Sequence, residues 1–315
     1  MLNYIMRRIG QALAVLFGVT IIAFIIIHLL PGGPAIALLG PHASAQQLHT
    51  FIVQNGYNKP IFVQYGYYLS RLFKGSLGYS YRYGEPVTTL LKNALPNSLL
   101  LVGLSYMVAL VVAVPLGLLQ AAKRNSPADN TITGLALIGY SMPVFWLGII
   151  LVVVFSSTTH LLPPEGPQGG TIAAALQQPL AMVLPVATLS IVTIALFSRY
   201  MRSSAIESLV QDYIRTARAE GVSNTRVLWR HVLRNSLLPL ITLVGLSLPV
   251  TVSGAVITES VFNYPGMGLL FWNAATTHDY PLLMGCVLVV GIATVLGSLL
   301  ADLLYAVADP RLRRA

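Results

Sequence analysis

Long runs of apolar residues recur along the sequence, separated by shorter stretches that carry nearly all of the charge. A helix needs about 20 apolar residues to cross the roughly 30 Å of bilayer hydrocarbon, whereas a membrane barrel shows segments of about ten residues with alternating polarity. The pattern therefore predicts an all-α membrane protein with six transmembrane helices. The runs are approximately Ile9–Leu30, Ser98–Ala121, Ile132–Phe155, Leu180–Phe197, Leu237–Thr258 and Leu282–Val307.

The composition agrees with a membrane protein. Hydrophobic residues make up 55% of the 315 residues and charged residues only 9%, and the mean hydropathy is +0.72. A typical soluble domain carries about 25% charged residues. The single cysteine, Cys286, excludes an internal disulfide and a cysteine-rich metal site.

The basic residues predict the orientation of the chain. With Arg7 and Arg8 in the cytoplasm, six crossings return the carboxyl end to the same side. Fourteen of the 19 lysines and arginines then face the cytoplasm, in agreement with the positive-inside rule. The other five are Lys59, Arg71, Lys74, Arg82 and Lys92. The net charge of +9 is therefore interpreted as a topology signal, and nucleic-acid binding is not expected.

The first apolar run has some features of a cleaved signal peptide, because basic residues precede it and small residues follow it at Ala35–Ala37. Its core, however, spans the 22 residues of Ile9–Leu30, and the apolar core of a signal peptide has about 7–15. We therefore expect a retained transmembrane helix.

The outer connector, Pro31–Asn97, is long enough to be a small folded insertion. Amphipathic stretches at Gln46–Gln54 and Val63–Phe73 indicate helices, and the alternating residues Tyr79, Tyr81 and Tyr83 indicate an extended segment. The tyrosines have two interpretations: a platform that contacts something at the outer surface, or an aromatic belt at the level of the lipid headgroups. We divide the chain into residues 1–97, an amino-terminal helix with this insertion, and 98–315, a five-helix core.

The inner connector, Arg199–Ser236, predicts a helix, a break at Gly221 and a second helix. The apolar residues of the first helix recur at steps of three and four, which gives one stripe. They are Ile206, Leu209, Val210, Tyr213, Ile214, Ala217 and Gly221, and the second helix has Val222, Val227, Leu228, His231 and Val232. Such an element can lie in the membrane interface or present a surface to a soluble partner.

Ionisable residues are scarce inside the predicted spans. His28, Glu259 and Asp302 lie near span ends, and no span carries a charge at its midpoint. This argues against a secondary transporter, which would need an ion site in the membrane. The sequence contains no phosphate-binding loop, no HExxH or GxSxG motif and no paired histidines suited to zinc. A membrane enzyme with catalytic groups in this chain is therefore not expected.

The inner connector also resembles a known motif. Residues 213–221 (YIRTARAEG) followed by 231–235 (HVLRN) resemble the E-A-A-x-x-x-G…I-x-L-P loop of ABC importer permeases, with the same spacing of 13 residues from Gly221 to Arg234. The chain departs from the general pattern at Arg215, in place of glutamate, and at Arg234, in place of proline. The variant resembles the dipeptide/oligopeptide/nickel branch of these permeases.

Further stretches, in the same order, resemble the first permease subunit of that branch over nearly the whole chain. They are residues 58–65, 75–80, 95–98, 141–148 (SMPVFWLG), 259–268 (ESVFNYPGMG) and 302–311. The resemblance implies a type I ABC importer (MetI-like) fold with six transmembrane helices and a folded outer insertion between helices 1 and 2. It also implies a bacterial cytoplasmic (inner) membrane location.

The resemblance implies partners as well. Family members pair with a related second permease subunit, receive cargo from an extracytoplasmic binding protein, and rest on ATP-binding subunits, which are two chains or one fused chain. ATP and Mg would be bound there, with no cofactor in this chain, and the membrane lipid is a further partner. The first inner helix would be the coupling helix that docks on the ATPase, with Ala217 and Gly221 allowing close approach. Its residues are Tyr213, Ile214, Arg215, Thr216, Ala217, Arg218, Ala219, Glu220 and Gly221.

The expected function is import of dipeptides or oligopeptides, driven by ATP hydrolysis in separate subunits. The same architecture could import a nickel chelate or a haem-like molecule. On the outer side, Glu259 is either a structural cap or an outer-gate contact to substrate. Tyr79, Tyr81 and Tyr83 are candidate contacts to the peptide or the binding protein.

Overall fold

Helices dominate the regular structure, as the apolar runs predict. The computed structural model describes residues 2–29, 35–36, 39–40, 42–54, 56–80, 82–247 and 255–308. One β-hairpin interrupts the helices: β1 (Tyr79–Ser80) pairs antiparallel with β2 (Glu85–Pro86), with Tyr79 opposite Pro86. The first helices are α1 (Leu2–Leu29), α2 (Ala45–Gln54) and α3 (Ile61–Phe73), and the hairpin is followed by α4 (Val87–Ala122) and α5 (Pro127–Ser141).

The remaining helices run from the middle of the chain to its end. Two π-helical stretches adjoin them: Val153–Thr158 directly follows α6, and Val227–Val232 joins α10 to α11. In order they are α6 (Val144–Val152), α7 (Ile172–Gln177), α8 (Pro179–Leu209), α9 (Asp212–Ala219), α10 (Asn224–Arg226), α11 (Leu233–Ser236), α12 (Leu238–Leu246), α13 (Val256–Val261), α14 (Met267–Thr276) and α15 (Tyr280–Ala308).

The chain divides into two compact units, each built from separated segments. Unit 1 comprises Met1–Leu99, Gln168–Ala175 and Pro249–Leu299. Unit 2 comprises Leu100–Pro167, Leu176–Leu248 and Leu300–Ala315. The long helix α4 therefore contributes its first turns to unit 1 and the rest to unit 2.

Three helices of the described residues are long and apolar enough to cross a membrane alone: α4, α8 and the Tyr280–Ser298 part of α15. A shorter apolar helical segment, Leu13–Ile26, lies in α1. The fifth predicted span is described only in part, because residues 248–254 lie outside the described residues. The count of six spans is consistent with these helices and stays a prediction.

The third predicted span, Ile132–Phe155, is broken at Pro143. α5 and the helix that starts at Val144 meet at an angle of 100°. Pro143 has no amide hydrogen to donate and disfavours helical backbone in the residue before it. Met142 accordingly has φ −72° and ψ 131°, so α5 ends at Ser141.

The core of unit 2 joins α4, α8 and α9 to the helical segments that follow α9, as far as α12. Met201, Ile214 and Val227 are fully buried in one cluster there. Gly117 of α4 permits the contact with α8, because a Cβ at this position would lie 2.5 Å from the Cβ of Met201.

The core of unit 1 joins the start of α4 to α14 and α15. Val87, Leu282 and Cys286 are fully buried in it. Gly285 of α15 allows close packing, because a Cβ there would lie 2.4 Å from Cγ1 of Val87.

Candidate functional site

The predicted coupling segment is a short helix with its own beginning. The sequence pattern predicts one helix across residues 206–221, but α8 ends at Leu209 and α9 begins at Asp212. Gln211 between them is extended, with φ −74° and ψ 151°. The prediction of a continuous stripe was therefore wrong, because the apolar spacing persists across a break that only the backbone reveals.

α9 ends at Ala219, just before the break that the sequence predicts at Gly221. This glycine has φ +80°, a left-handed conformation that costs other residues free energy. The amide of Gly221 donates to the carbonyl of Arg218 at 3.0 Å, and the amide of Val222 donates to the carbonyl of Ala217 at 3.1 Å. These two bonds form a Schellman motif, which satisfies the last carbonyls of the helix without a side chain.

Two side chains hold α9 to unit 2. Ile214 is fully buried and Ala217 is 4% exposed, and both belong to the core cluster of this unit. The expectation that Ala217 lets a partner approach closely was wrong, because its side chain faces the protein's own interior. Gly221, the other half of that expectation, is exposed.

The opposite face of α9 is polar and exposed. Tyr213 is 39% exposed, and its hydroxyl shares a hydrogen bond with the hydroxyl of Ser208 at the end of α8. Arg215 pairs with Asp212 one turn earlier at 3.3 Å, with both side chains in solvent. Such an exposed pair contributes little to stability. The other exposed residues of the predicted site are Thr216, Arg218, Ala219, Glu220 and Gly221.

The segment after Gly221 is helical, as predicted, but it is not a regular α-helix. α10 passes into the π-helical stretch Val227–Val232 and then into α11. Val227 and Val232 are fully buried in the core cluster that holds Ile214. α9 and the segment that follows it are therefore packed on one core.

An ion pair that the sequence analysis did not identify braces the end of α8. Nε of Arg202 donates to Oδ1 of Asp129 at 2.7 Å, and Nη2 of Arg202 donates to Oδ2 at 2.8 Å. Asp129 is 1% exposed and also accepts the amide of Asn125. A bidentate pair with additional donors fixes both side chains. The available sequence signal was the cap Ser126-Pro127 before an acidic residue in the first turn of α5.

The extended segment predicted from the alternating tyrosines is the β-hairpin of unit 1. Tyr79 donates its hydroxyl to the carbonyl of Gly84 across the turn. The buried hydroxyl of Ser80 donates to the carboxylate of Asp279, and Asn273 donates to the hydroxyl of Tyr83 at 3.3 Å. The hairpin is therefore fastened to the region of α14 and α15. Tyr81 lies outside the described residues.

Glu259 belongs to α13, and its side chain lies against the first turn of α14 rather than at a surface. The side chain is fully buried, and Oε2 accepts the amides of Gly268 at 2.7 Å and Leu269 at 3.1 Å. Oε1 accepts the hydroxyl of Ser98 at 2.7 Å and the amide of Ala255 at 3.3 Å. A carboxylate on the first amides of a helix satisfies donors that have no partner within the helix. The structure therefore supports the capping role for Glu259, and a direct substrate contact is not what this geometry provides.

The environment of Glu259 has opposing electrostatic effects. The residue follows the last residue of the fifth predicted span, and burial raises the pKa of its carboxyl, while the hydrogen bonds from Ser98, Leu269, Gly268 and Ala255 lower it. Burial also raises the pKa of the Tyr264 hydroxyl, which donates to the carbonyl of Asn97 at 2.8 Å.

Two glycines permit the close packing around this carboxylate, one beside the carboxylate itself and one beside the backbone of α13. A Cβ on Gly266 would lie 2.4 Å from Oε2 of Glu259, and a Cβ on Gly268 would lie 2.5 Å from Cα of Val256. These contacts explain the spacing of glutamate and glycines in the stretch 259–268, which the sequence analysis used only as a resemblance.

A mainly apolar cleft opens in unit 1 beside the hairpin. Its wall contains Tyr83, Asn273 and the turn Pro265-Gly266. Of the residues predicted on the outer side, Tyr83 lines this cleft, and the exposed Tyr79 lies on the neighbouring strand. Within the described residues, no group of three or more His, Cys, Asp and Glu side chains could hold a metal ion.

Comparisons with known proteins identify the family. The family model for "Binding-protein-dependent transport system inner membrane component" matches residues 113–314, and the model for the amino-terminal part of such membrane components matches residues 1–102.

Curated relatives match along their whole length. The oligopeptide transport system permease protein AppB of Bacillus subtilis is 39% identical over 314 residues, covering 99% of both chains. The dipeptide transport system permease protein DppB of Escherichia coli K12 is 35% identical over 336 residues, again covering 99% of both chains.

The fold has a solved neighbour. A chain of the inward-facing MetNI methionine ABC transporter superposes with a TM-score of 0.55 at 16% identity, covering 70% of this chain and 97% of that one. At this identity the likeness concerns the fold alone, which is that of a type I ABC importer permease. With both family models matched in order along the sequence, the chain belongs to the family of binding-protein-dependent transport system inner membrane components.

Proposed function

We propose that this chain is a permease subunit of an ABC importer that moves dipeptides or oligopeptides across the bacterial cytoplasmic membrane. The observation that carries the proposal is the end-to-end similarity to a permease named for oligopeptides and to another named for dipeptides. ATP and Mg would be bound by partner subunits. A second permease would complete the pathway, and both termini of this chain would lie in the cytoplasm.

α9 is the proposed contact with the ATP-binding subunits. Its exposed face offers Arg215, Thr216 and Arg218 to a partner, while Ile214 and Ala217 fix the helix in the core of unit 2. A force applied to the exposed face is then carried by packed side chains rather than absorbed by a loose loop. The Schellman turn at Gly221 limits fraying at the other end.

Coupling in this scheme is a population shift. ATP can move the permease between inward- and outward-facing states only if the ATP-bound subunits bind one state better than the other. The exposed residues of α9 are where we place that difference in binding. The ion pair between Arg202 and Asp129 would help to keep the end of α8 rigid while α9 is displaced.

The hairpin is the proposed contact on the opposite side of the membrane. Tyr79 is 55% exposed and Tyr83 is 41% exposed, and the cleft beside Tyr83 is mainly apolar. Aromatic side chains with exposed faces are favoured at protein interfaces. We propose that a substrate-binding protein, or the peptide that it delivers, contacts this surface.

The coupling proposal is tested by charge reversal on α9. Arg218→Glu should leave the assembled complex intact but reduce substrate-stimulated ATPase activity by at least about fivefold. A factor of about five corresponds to the weakest coupling free energies usually measured between two sites. Arg124→Glu is the matched control, because Arg124 is also exposed in a connector that we place in the cytoplasm. Equal activity in the two variants would contradict the docking role of α9.

The cargo proposal needs a separate experiment. The complete transporter is reconstituted in vesicles with its ATP-binding subunits facing a lumen that is loaded with ATP, and its binding protein is added outside. Uptake of a labelled dipeptide and of a labelled pentapeptide is measured. Competition by unlabelled peptides is expected. Uptake of a nickel chelate or of haem, without uptake of either peptide, would contradict the peptide assignment.

A further inference from the structure

The helix α3 of the outer insertion packs on α1 with one face. The hydroxyls of Tyr65 and Thr20 are 2.8 Å apart, and Oε1 of Gln64 is 2.8 Å from Nε2 of His28. The ring of Phe24 lies between these contacts, with centroids 5.1 Å from Tyr65 and 5.8 Å from Tyr68.

These contacts set the depth of α3. Tyr65 also reaches the ring of Phe17, at a centroid distance of 6.0 Å. An α-helix rises 1.5 Å per residue, so the contacted residues, Phe17 to His28, cover about 16 Å of α1. The apolar run of α1 begins at Ile9 and is long enough to span about 30 Å of hydrocarbon. α3 therefore packs on the outer half of the membrane-spanning part of α1, below its outer end.

Apolar side chains of α3 that do not contact α1 are uncovered. Phe73 is 88% exposed and Phe62 is 74% exposed, and Ile61, in the first turn of the helix, is 60% exposed. The α1 residues at the same level are also exposed and apolar, with Ile22 at 58% and Leu29 at 78%. The exposed side chains of the two helices therefore have the same chemistry, and residues 64–68 of α3 are held at the level of residues 17–28 of α1.

The polar groups of α3 are placed as a partly embedded helix requires. Arg71 is the only charged residue among its 13 residues. The guanidinium of Arg71 donates to the hydroxyl of Tyr57 at 3.3 Å and lies 5.9 Å from the centre of that ring. A long basic side chain can reach the interface while its stem stays in apolar surroundings.

We propose that α3 is embedded in the outer half of the bilayer, with Phe62 and Phe73 against the acyl chains of the lipid. The segment between the first two spans is then not entirely an aqueous domain. Its hairpin reaches the outer surface, whereas α3 extends the lipid-facing surface of α1. The occupant of the uncovered face is lipid rather than the binding protein or the second permease.

The depth of α3 is measured with spin labels on the full chain, in its assembled complex, in nanodiscs of phosphatidylethanolamine and phosphatidylglycerol. In a Cys286→Ala background, nitroxides are attached at Phe62→Cys and Phe73→Cys. Val111→Cys, on an exposed apolar position of α4, serves as the lipid reference, and Arg124→Cys, in the connector between α4 and α5, serves as the aqueous reference. Collision rates with oxygen and with a nickel chelate are compared.

The labels at positions 62 and 73 are expected to match the position 111 label, with oxygen favoured over the nickel chelate several-fold more than at position 124. Preference for the nickel chelate at either position would overturn the proposal, and so would protection from both reagents, which indicates a covering protein. A second measurement avoids the substitutions. A diazirine probe that partitions into lipid should label peptide 61–73 of the unmodified complex, and absence of label there would equally overturn the proposal.

Discussion

The main chain completes the end of α9 in unit 2, whereas a buried side chain completes the start of α14 in unit 1. Each is a short helix that follows a break in the chain. α9 ends with main-chain bonds around a left-handed glycine and keeps its polar residues exposed. α14 begins at the fully buried carboxylate of Glu259, so the polar group that completes this helix is not exposed to a partner.

A contact with a partner can form only where polar side chains remain accessible. A helix closed by its own backbone leaves its charged side chains available to a partner. A helix closed by a buried side chain is fixed in place but has nothing polar to offer at that end. Substitutions around Glu259 should therefore lower the stability of the fold, whereas substitutions on the exposed face of α9 should impair the proposed coupling to ATP hydrolysis.

The largest effect is expected for Glu259→Ala. The change leaves three backbone amides and the hydroxyl of Ser98 without their acceptor in a buried site. We expect a loss of about 3 kcal/mol or more in the free energy of unfolding, because each buried donor left unpaired costs about 1–3 kcal/mol. Thermal unfolding of the purified complex measures it.

Glu85→Ala is the control for this variant, because Glu85 is an exposed carboxylate on β2 of the same unit. It should change stability by no more than about 0.5 kcal/mol. Equal stability of the Glu259 and Glu85 variants would show that the buried carboxylate does not hold α14.

A smaller effect is expected for Gly268→Ala. The new Cβ would lie 2.5 Å from the backbone of Val256, which cannot move as a flexible side chain does. Overpacking of this kind costs about 1–3 kcal/mol. Gly103→Ala in α4 is the matched control: its Cβ would meet nothing within 4 Å, so a helical glycine is replaced at a gain of about 0.5–1 kcal/mol. Opposite signs in the unfolding of the two variants are the expected result, and a loss of similar size in both would refute the packing argument.

The smallest effect in this series is expected for Gly221→Val. Its Cβ would meet nothing within 4 Å, so the cost arises only from φ +80° and amounts to about 1–2 kcal/mol. Gly221→Asn should recover most of the lost stability, because asparagine tolerates this conformation. Equal unfolding temperatures for the valine and asparagine variants would contradict the backbone explanation.

Sequence reasoning predicted the helical class, most span positions and the stop at Gly221, because apolar period and glycine chemistry are local signals. It did not predict that Ala217 faces inward, since one stripe can serve either a core or a partner. The break at Val210–Gln211 and the 100° bend at Met142–Pro143 depend on packing and backbone geometry. The pairing of Arg202 with Asp129 joins residues 73 positions apart, and local periodicity carries no information about it.

The resemblance in residues 259–268 contributed a family but no physical role. The structure supplies that role, because Gly266 leaves room for the Glu259 carboxylate and Gly268 leaves room for the backbone of Val256. Tyr81 and residues 248–254 lie outside the described residues, so the predictions made for them are unchanged.

In the proposed function, the exposed face of α9 contacts the ATP-binding subunit and is displaced when that subunit binds ATP. In a Cys286→Ala background, cysteines at Thr216 and Ala219 are each treated with a short bifunctional crosslinker in the assembled transporter, with Arg124→Cys as the reference. Crosslinks are expected from positions 216 and 219 to the ATP-binding subunit, with loss of substrate-stimulated ATPase activity once they form. Absence of crosslinks at both positions, in a complex that still transports, would contradict it.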